Sequence, residues 1–259
     1  MLAVAGSLHS QTVFSTGLVN PAKIIFGPSG TLLVSEIGPT PNSGRVSIVS
    51  PSGVRRTLID GLPSGTAGRD PDGPTGIVLE GNTLYVAIGE GDELTTGATS
   101  GTMVPNPAGP SSPILNSILK ITFSQSLELT TTAVTLKPTD HSILAEGDTL
   151  TLEDGAGGKA TILVLSTFRH RPESPMIYRN SHPYALVKLT ADAKQLYLAN
   201  AGLNSIVQID TQTGRARTVA KFPPQPNRGT TGPPVIDSVP DNLRVFGDRL
   251  LVNLLTGFP

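Results

Sequence analysis

Short apolar runs separated by turn residues recur along the chain, and each run is too short for a typical helix. Residues 21–38 read PAKIIFGPSGTLLVSEIG, and residues 183–202 read PYALVKLTADAKQLYLANAG. In both stretches a proline precedes an apolar run, a polar turn follows, and a second apolar run leads into a loop. Runs of this length, bounded by Gly, Pro, Asn and Asp, predict β-strands joined by turns. The two stretches therefore predict the same pair of strands.

The two copies also continue alike. Residues 43–63 read SGRVSIVSPSGVRRTLIDGLP, and residues 203–223 read LNSIVQIDTQTGRARTVAKFP. Each contains a third apolar run, a turn carrying glycine, a fourth run and an apolar residue followed by proline. Four short strands in a unit of roughly 45 residues are typical of a β-propeller blade. Because one such sheet cannot cover both of its own faces, neighbouring blades must stack on it, which explains the repetition.

Two further copies support an all-β propeller of four-stranded blades. Residues 73–92 read GPTGIVLEGNTLYVAIGEGD, and residues 239–257 read VPDNLRVFGDRLLVNLLTG. We predict a propeller domain over residues 14–259. Its parts are blade one at 17–65, blade two at 73–123, an insertion at 124–180, blade three at 181–225 and the start of the next blade at 238–259.

The insertion explains a wide gap in the repeat. Marker prolines fall at Pro21, Pro74, Pro183 and Pro240, and the gap between the second and third is about two units wide. Residues 118–123 suit the third strand of blade two, and apolar–polar alternation around the turn at 154–158 predicts inserted β-hairpins. A degenerate extra blade in this segment is the alternative.

The predicted blades number about three and a half, or four and a half if the insertion is a blade. Closed propellers normally have four to eight blades. An incomplete blade would leave a sheet edge and an apolar face uncovered. We therefore expect a partial propeller, which is a fragment of a longer product or closes by pairing with another chain.

Composition agrees with a turn-rich β-protein and excludes several kinds of partner. Charged residues are 15% of the 259 residues, while 28 are Gly and 23 are Pro. The net charge of −1 gives no electrostatic signature for binding nucleic acid or an anionic membrane. No segment approaches the roughly 18 apolar residues of a membrane span. The absence of cysteine excludes disulfides, cysteine-ligated metals and a thiol nucleophile.

The first residues read MLAVAGSLHSQ, which is apolar from Leu2 to Leu8 except for a single Gly and Ser. Residues 3–5, Ala-Val-Ala, fit a small-x-small cleavage site. We interpret residues 1–13 as the remnant of a secretory signal or a disordered N-terminus, and we expect an extracytoplasmic protein, periplasmic or secreted. An ordinary frayed N-terminus is the alternative.

The blade motifs quoted above, together with GLVNPAKIIFGPSG at 17–30 and GPPVIDSVPDNLRVFG at 232–247, resemble the ScyD/ScyE family. Those proteins are extracytoplasmic bacterial propellers related to the NHL and SMP-30 groups. The resemblance covers roughly residues 14–123 and 160–259. It implies a six-bladed parent and no assigned activity, and the SMP-30 relatives hold a metal ion at the mouth of the channel.

In a propeller, the loops entering each inner strand and those after each second strand open onto the same end of the channel. Polar residues at these places form the candidate ligand-binding set. They are Asn20, Glu36, Asp72, Glu90, Asp92, His182, Asn200 and Asn253. The carboxylate and amide oxygens in this set are able to hold a divalent cation such as calcium, although such residues also commonly cap turns. We predict no other cofactor.

The sequence leaves the reaction open, and the catalytic and metal-binding residues are unknown. It contains no H-E-x-x-H, no G-x-S-x-G, no P-loop and no dinucleotide-binding fingerprint. We therefore favour a binding module for a small molecule or a protein at the channel face. The alternative is a metal-assisted enzyme at the channel mouth that hydrolyses lactones or couples aromatic precursors. With no Trp, four Tyr and seven Phe, the chain offers little aromatic wall for a flat ligand.

Overall fold

A computed structural model of the chain describes residues 12–67, 70–98, 103–168, 180–189, 194–229, 232 and 234–256. The described residues are mainly β-strands. In chain order these are β1 Pro21–Phe26, β2 Leu32–Glu36, β3 Gly44–Val49, β4 Arg55–Leu62, β5 Gly65–Ala67, β6 Asp70–Asp72, β7 Pro74–Glu80, β8 Thr83–Ile88, β9 Leu94–Thr96, β10 Met103–Pro105, β11 Ser117–Phe123, β12 Val134–Thr135, β13 Leu150–Glu153, β14 Lys159–Thr167, β15 Pro183–Lys188, β16 Gln195–Asn200, β17 Ser205–Asp210, β18 Ala216–Lys221, β19 Gln225–Pro226, β20 Val235–Ile236, β21 Ser238–Phe246 and β22 Arg249–Thr256. The helical elements are α1 Pro138–Ala145 and single 3₁₀ turns at Pro28–Gly30 and Leu127–Leu129.

The larger sheets follow the order of the sequence repeats. The first sheet runs β1-β2-β3-β4, with β12 added parallel to β4. The second runs β7-β8-β11-β14-β13, the third runs β15-β16-β17-β18, and β21 pairs with β22. Short hairpins β5–β6, β9–β10 and β19–β20 lie in the connections. The prediction of an all-β propeller class is confirmed.

The marker prolines have a common structural role. A register shift follows Pro21 in β1, Pro74 in β7, Pro183 in β15 and Pro240 in β21. Because proline has no N–H to give to the ladder, it is tolerated in a strand at a bulge or at the first residue. Each innermost strand therefore bends at the same end, the end at which the loops between second and third strands also emerge.

The same backbone hydrogen bond closes this end in three blades. The residue after each second strand donates its N–H to the carbonyl of the residue before the marker proline. The pairs are Ile37 to Asn20 at 3.1 Å, Gly89 to Gly73 at 2.8 Å and Ala201 to His182 at 2.8 Å. The repeat in the sequence is thus a repeat of backbone geometry, which places equivalent residues at equivalent points around the axis.

Successive sheets pack on one another through their apolar faces. Strand β1 contacts β7, β7 contacts β15, and β15 contacts β21. One cluster contains Ile25 and Ile77, the next Val78 and Leu186, and the third Val187 and Leu243. Neighbouring residues of an inner strand therefore point into opposite interfaces, as the alternation of a β-strand requires. Blades two and three therefore each bury two faces against the blades on either side, which is the packing of a propeller.

The inner strands of the first and last described blades also meet. The ammonium group of Lys23, on β1, donates to Oδ1 of Asn242, on β21, over 3.0 Å. Burial of the Lys23 ammonium, together with the charge of Arg244, lowers its pKa. The channel between the inner strands is therefore narrow enough for one side chain to reach across it.

The outer face of β1 has no blade packed on it among the described residues. Ile24 is 55% exposed and Phe26 is 82% exposed on this face. Residues 12–20 run along part of it, where the N–H of Val19 donates to the Glu36 carboxylate over 2.5 Å.

The segment predicted as inserted hairpins differs in one respect, because it contains the helix α1. Pro138 occupies the first helical turn, and the N–H of Lys137 donates to the Asp140 carboxylate over 2.7 Å. Gly147 follows the helix with φ of 94°. Pro at the start, Asp in the first turn and Gly after the end are helix signals, and they lie in the sequence KPTDHSILAEG at 137–147.

The remaining strands of this segment do not form a sheet of their own. Strand β14 pairs with β11, which lies third in the second sheet, and β13 pairs with β14. Strand β12 instead pairs with β4 of blade one. The segment 124–168 therefore supplies outer strands to two blades, and its helix packs near the outer edge of the second.

Some features of the sequence fall outside the described residues. They include most of the predicted signal remnant, at 1–11, and residues 169–179 of the predicted insertion. In the part of the chain that the structure describes, no helix is long and apolar enough to cross a membrane.

Close approach of two inner strands gives a test of the packing. A Cβ atom on Gly76 of β7 would lie 2.5 Å from the Leu186 nitrogen and 2.8 Å from the Tyr184 oxygen of β15. Because both are backbone atoms, Gly76→Ala must push blades two and three apart. We expect it to lower the free energy of unfolding by about 2–4 kcal/mol, as measured by urea denaturation.

Gly81→Ala is the matched control, since its Cβ would meet nothing within 4 Å and only the positive φ of 56° would be strained. It should cost about 1 kcal/mol. An equal or smaller loss for Gly76→Ala would contradict the close contact between the inner strands.

Candidate functional site

Three of the predicted site residues meet at the junction of blades two and three. Asp72 ends β6, two residues before the marker proline of blade two, and His182 immediately precedes the marker proline of blade three. Glu90 follows β8, at the same end of blade two. We name Asp72, Glu90 and His182 the junction cluster.

Asp72 and His182 form the contact that joins the two blades. The imidazole Nε2 of His182 lies 3.2 Å from Oδ1 of Asp72. The Asp72 side chain is 8% exposed, and that of His182 is 26% exposed. Oδ2 of Asp72 also accepts the N–H of Gly91 over 2.9 Å. The Asp72 carboxylate is therefore held by both blades and is almost removed from water.

The loop after β8 is shaped to surround this carboxylate. A Cβ atom at Gly89 would lie only 2.2 Å from Oδ2 of Asp72. Glycine at this position is thus required by the close approach of the loop to the carboxylate. The sequence IGEGDE, at 88–93, allows the turn and presents Glu90 beside the ion pair.

Burial and charge shift the protonation of all three side chains. Burial alone would raise the pKa of Asp72, but the charge and hydrogen bond of His182 and the N–H groups of Gly91 and Gly73 outweigh it and lower the pKa. Burial alone would lower the pKa of His182, but the charge and hydrogen bond of Asp72, with the charge of Glu90, raise it to about 9. At neutral pH the pair is therefore an aspartate and an imidazolium.

Glu90 differs from its neighbours. Burial, together with the charges of Asp72 and Glu93, raises its pKa to about 7, although His182 and Asn180 act in the opposite direction. A carboxyl group with this pKa exchanges its proton near neutral pH, which is the property required of a general acid or base.

The orientation of His182 is fixed by its own blade. The N–H of His182 donates to Oδ1 of Asn200 over 3.0 Å, and Nδ2 of Asn200 donates to Ser181 Oγ over 2.8 Å. The ring of Tyr184 meets the imidazole edge to face, with centroids 5.4 Å apart and planes at 89°. Asn200, which is 1% exposed, thus positions the histidine.

The other predicted residues do not join the cluster. The side chain of Asn20 is exposed, and its carbonyl accepts the N–H of Ile37. Oδ1 of Asp92 accepts the N–H of Ser111 over 2.8 Å, so Asp92 shapes a loop. Asn253 is exposed on β22 and donates to Asp241 over 3.3 Å.

Glu36 has a structural environment inside blade one. Its side chain is fully buried and lies 2.9 Å from the Arg45 guanidinium and 3.2 Å from that of Arg55. Ser47 also donates to this carboxylate. Burial alone would raise the pKa of Glu36, but the hydrogen bonds from Arg45, Ser47 and Val19 lower it. This carboxylate ties β2, β3 and the segment 12–20 together.

Sequence reasoning missed several polar residues beside the cluster. Oε2 of Glu93 accepts the amide Nδ2 of Asn116 over 2.6 Å and that of Asn180 over 2.8 Å. A usable signal precedes each third strand, where Asn-Ser occurs at 42–43, 116–117 and 204–205. In each case the asparagine adopts a positive φ, between 48° and 55°. The same turn therefore precedes the third strand of blades one, two and three.

The described part of the chain contains no set of side chains that could bind a metal ion. Within residues 12–67, 70–98 and the later described ranges, no group of three or more His, Asp or Glu side chains is placed to hold a metal ion.

The fold and the cluster define an all-β, propeller-type protein with an acidic, histidine-containing site between two blades. No protein-family model matches the chain. No curated protein matches it either.

Several solved structures are similar at low identity. A chain of the nidogen–laminin complex is 15% identical with a TM-score of 0.38, over 80% of this chain and 49% of that chain. An oxidoreductase described as a glucose dehydrogenase, from Thermus thermophilus, is 13% identical with a TM-score of 0.29, over 94% and 85%. The PQQ-bound aldose sugar dehydrogenase of Streptomyces coelicolor is 13% identical with a TM-score of 0.31, over 93% and 90%. The chain spans about half the length of the nidogen–laminin chain that it matches. These likenesses assign no activity or cofactor to it.

The raised pKa of His182 predicts how stability depends on pH. Its folded value of about 9 lies above its unfolded value, so its stabilisation is complete below about pH 6.5 and is lost as pH rises through 9. Between these values we expect the melting temperature to fall by about 5 °C. His182→Gln should remove most of this fall, as measured by calorimetry.

His141→Gln is the matched control. His141 is fully buried, its Nε2 lies 2.8 Å from the carbonyl oxygen of Gly61, and burial lowers its pKa. Its titration affects stability on the acid side, because its stabilisation is lost as pH falls. The slope above pH 6.5 should therefore survive in this variant. If the melting temperature of His182→Gln falls with rising pH as steeply as that of the native protein, the ion pair between His182 and Asp72 is contradicted.

Proposed function

We propose that this chain is an exported binding propeller of the ScyD/ScyE type, and that its ligand contacts the junction cluster. The observation that carries the proposal is the Asp72–His182 contact, at 3.2 Å, made between connections of two neighbouring blades at one end of their inner strands. Loops on a rigid scaffold are the usual location of binding residues. The blade motifs quoted for the ScyD/ScyE resemblance support the finer assignment, and the apolar residues 2–8 support export.

The chemistry of the cluster favours a small polar ligand at the channel face. An imidazolium lies beside the Asp72 carboxylate, the Glu90 carboxyl acts on it through its charge, and the Tyr184 ring lies against it. The carboxylates accept hydrogen bonds, and the imidazolium donates them. A ligand that carries both donors and acceptors on a small frame matches this arrangement. The surrounding hydrogen bonds hold the side chains in place before binding, which reduces the entropic cost of binding.

Acid–base catalysis at the same cluster is the second candidate. The observation that favours it is the Glu90 carboxyl, whose pKa of about 7 suits proton transfer at neutral pH. The metal-assisted form of this candidate lacks a ligand set among the residues that the structure describes. Hydrolysis of lactones or esters with Glu90 as the proton-transferring group is therefore the form to test.

Fragment screening by NMR tests the binding proposal. We expect polar fragments to shift the ring resonances of His182 and Tyr184 and to bind at least about tenfold more weakly to Asp72→Asn and His182→Gln. Glu153→Gln, which changes an exposed carboxylate of β13, should leave binding unchanged. Fragments that shift neither ring would contradict the proposal.

A turnover assay on δ-lactones and phenolic esters separates the two candidates. The binding proposal expects no turnover by the native chain. Reproducible turnover that Glu90→Gln abolishes, while Glu153→Gln leaves it intact, would establish the enzyme instead.

A further inference from the structure

A cleft opens beside the junction cluster, toward the outer part of blade two. Its volume is about 630 Å³, within the usual range of small-molecule sites. The C-terminal end of α1, strand β14 and the connection 105–116 form its walls. Leu94, Pro105, Pro113, Leu144 and Val164 make these walls largely apolar.

The polar end of the cleft consists of Glu93, Asn116 and Asn180. Asn116 is 2% exposed and Asn180 is 5% exposed. Both amide nitrogens donate to the same oxygen of Glu93, over 2.6 and 2.8 Å. Because an ionised carboxylate only accepts hydrogen bonds, this contact fixes which end of each amide is the nitrogen.

The two amide oxygens are consequently unpaired. Oδ1 of Asn116 and Oδ1 of Asn180 are buried and have no hydrogen-bond partner in the described structure. A buried acceptor without a partner costs about 1–3 kcal/mol. Two such acceptors, on amides that donate to the same carboxylate oxygen, indicate a group that is yet to bind, and that group must donate several hydrogen bonds.

We propose that the cleft binds a small amphipathic primary amine, with its ammonium group at Glu93 and its apolar part along the cleft wall. An ammonium group has three N–H donors and a positive charge, so it can satisfy both amide oxygens and pair with the carboxylate. Within the junction cluster the His182 imidazolium balances the Asp72 carboxylate, so the ionised form of Glu90 adds the remaining negative charge. An alcohol brings one donor and no charge, and a quaternary ammonium group brings charge and no donor.

This site is separate from the ligand contact proposed above. The cleft is lined by Glu93 and Asn180 but not by Asp72, Glu90 or His182. Asn180 links the cleft to the junction cluster, because a hydrogen bond from its side chain also acts to lower the pKa of Glu90.

Calorimetric titration of the full chain near neutral pH tests the inference. The probes are 2-phenylethylamine, 2-phenylethanol and the N,N,N-trimethyl derivative of the amine. We expect the primary amine to bind at least about tenfold more tightly than either analogue. Glu93→Gln should weaken amine binding by at least about tenfold, and Asn180→Ala and Asn116→Gly should weaken it several-fold. Glycine is chosen at 116 because the native φ is 53°.

Control variants assign the binding to the cleft. Glu153→Gln makes the same charge change as Glu93→Gln on an exposed side chain and should leave the affinity unchanged. His182→Gln should not weaken it, because this variant removes a positive charge that opposes the ammonium group. Amine binding lost in His182→Gln but kept in Glu93→Gln would place the amine in the junction cluster, which overturns this inference and leaves the proposed function intact.

Two further results would also overturn the inference. One is equal affinity for the amine and the alcohol, or no heat of binding for the amine. The other is a crystal soaked in the amine in which only water molecules are hydrogen-bonded to Oδ1 of Asn116 and Oδ1 of Asn180. Circular dichroism checks that each variant is folded. The comparison of the three probes uses the native chain alone, so it tests the inference even if a variant does not fold.

Discussion

Burial of two apolar faces per sheet is the constraint on which this structure depends. A four-stranded sheet of this kind exposes apolar side chains on both sides, and only a neighbour on each side can cover them. Ile77 and Val78 are adjacent on β7, yet one packs toward blade one and the other toward blade three. The inner strands must therefore converge, and glycine at position 76 allows two of them to approach within backbone contact.

The site is a consequence of this convergence. The bulge at each marker proline turns the inner strands at one end, so the preceding residues of neighbouring blades lie side by side. Asp72 and His182 pair across the junction because the apolar interface beneath them holds the two blades together. The buried Asp72 carboxylate loses its contacts with water there, and hydrogen bonds from His182 and Gly91 replace them. Charge at the junction and apolar packing below it therefore support one another.

The sequence predicted the repeat, the strands and the residues of the junction cluster, because these follow local rules. Marker prolines and strand alternation placed Asp72, Glu90, His182 and Asn200 at one end of the blades, and the structure places all four there. The sequence could not show that Glu36, which occupies an equivalent position in blade one, is a structural residue. Its environment depends on ion pairs with Arg45 and Arg55, which come from other strands. Helix α1 was missed although Pro138, Asp140 and Gly147 are start and stop signals, since the surrounding β pattern outweighed them. Asn180 and the unpaired amide oxygens depend on contacts between distant segments, which no local pattern encodes.

Methyl–methyl nuclear Overhauser effects test the central claim of radial packing most directly. Each apolar cluster lies between one pair of blades, and the clusters share no residue. The account predicts cross-peaks between Leu186 and Ile118 within the second cluster, and none between Ile48 of the first and Leu243 of the third. Cross-peaks between Ile48 and Leu243 would mean that the sheets lie face to face as a sandwich, and they would contradict the account.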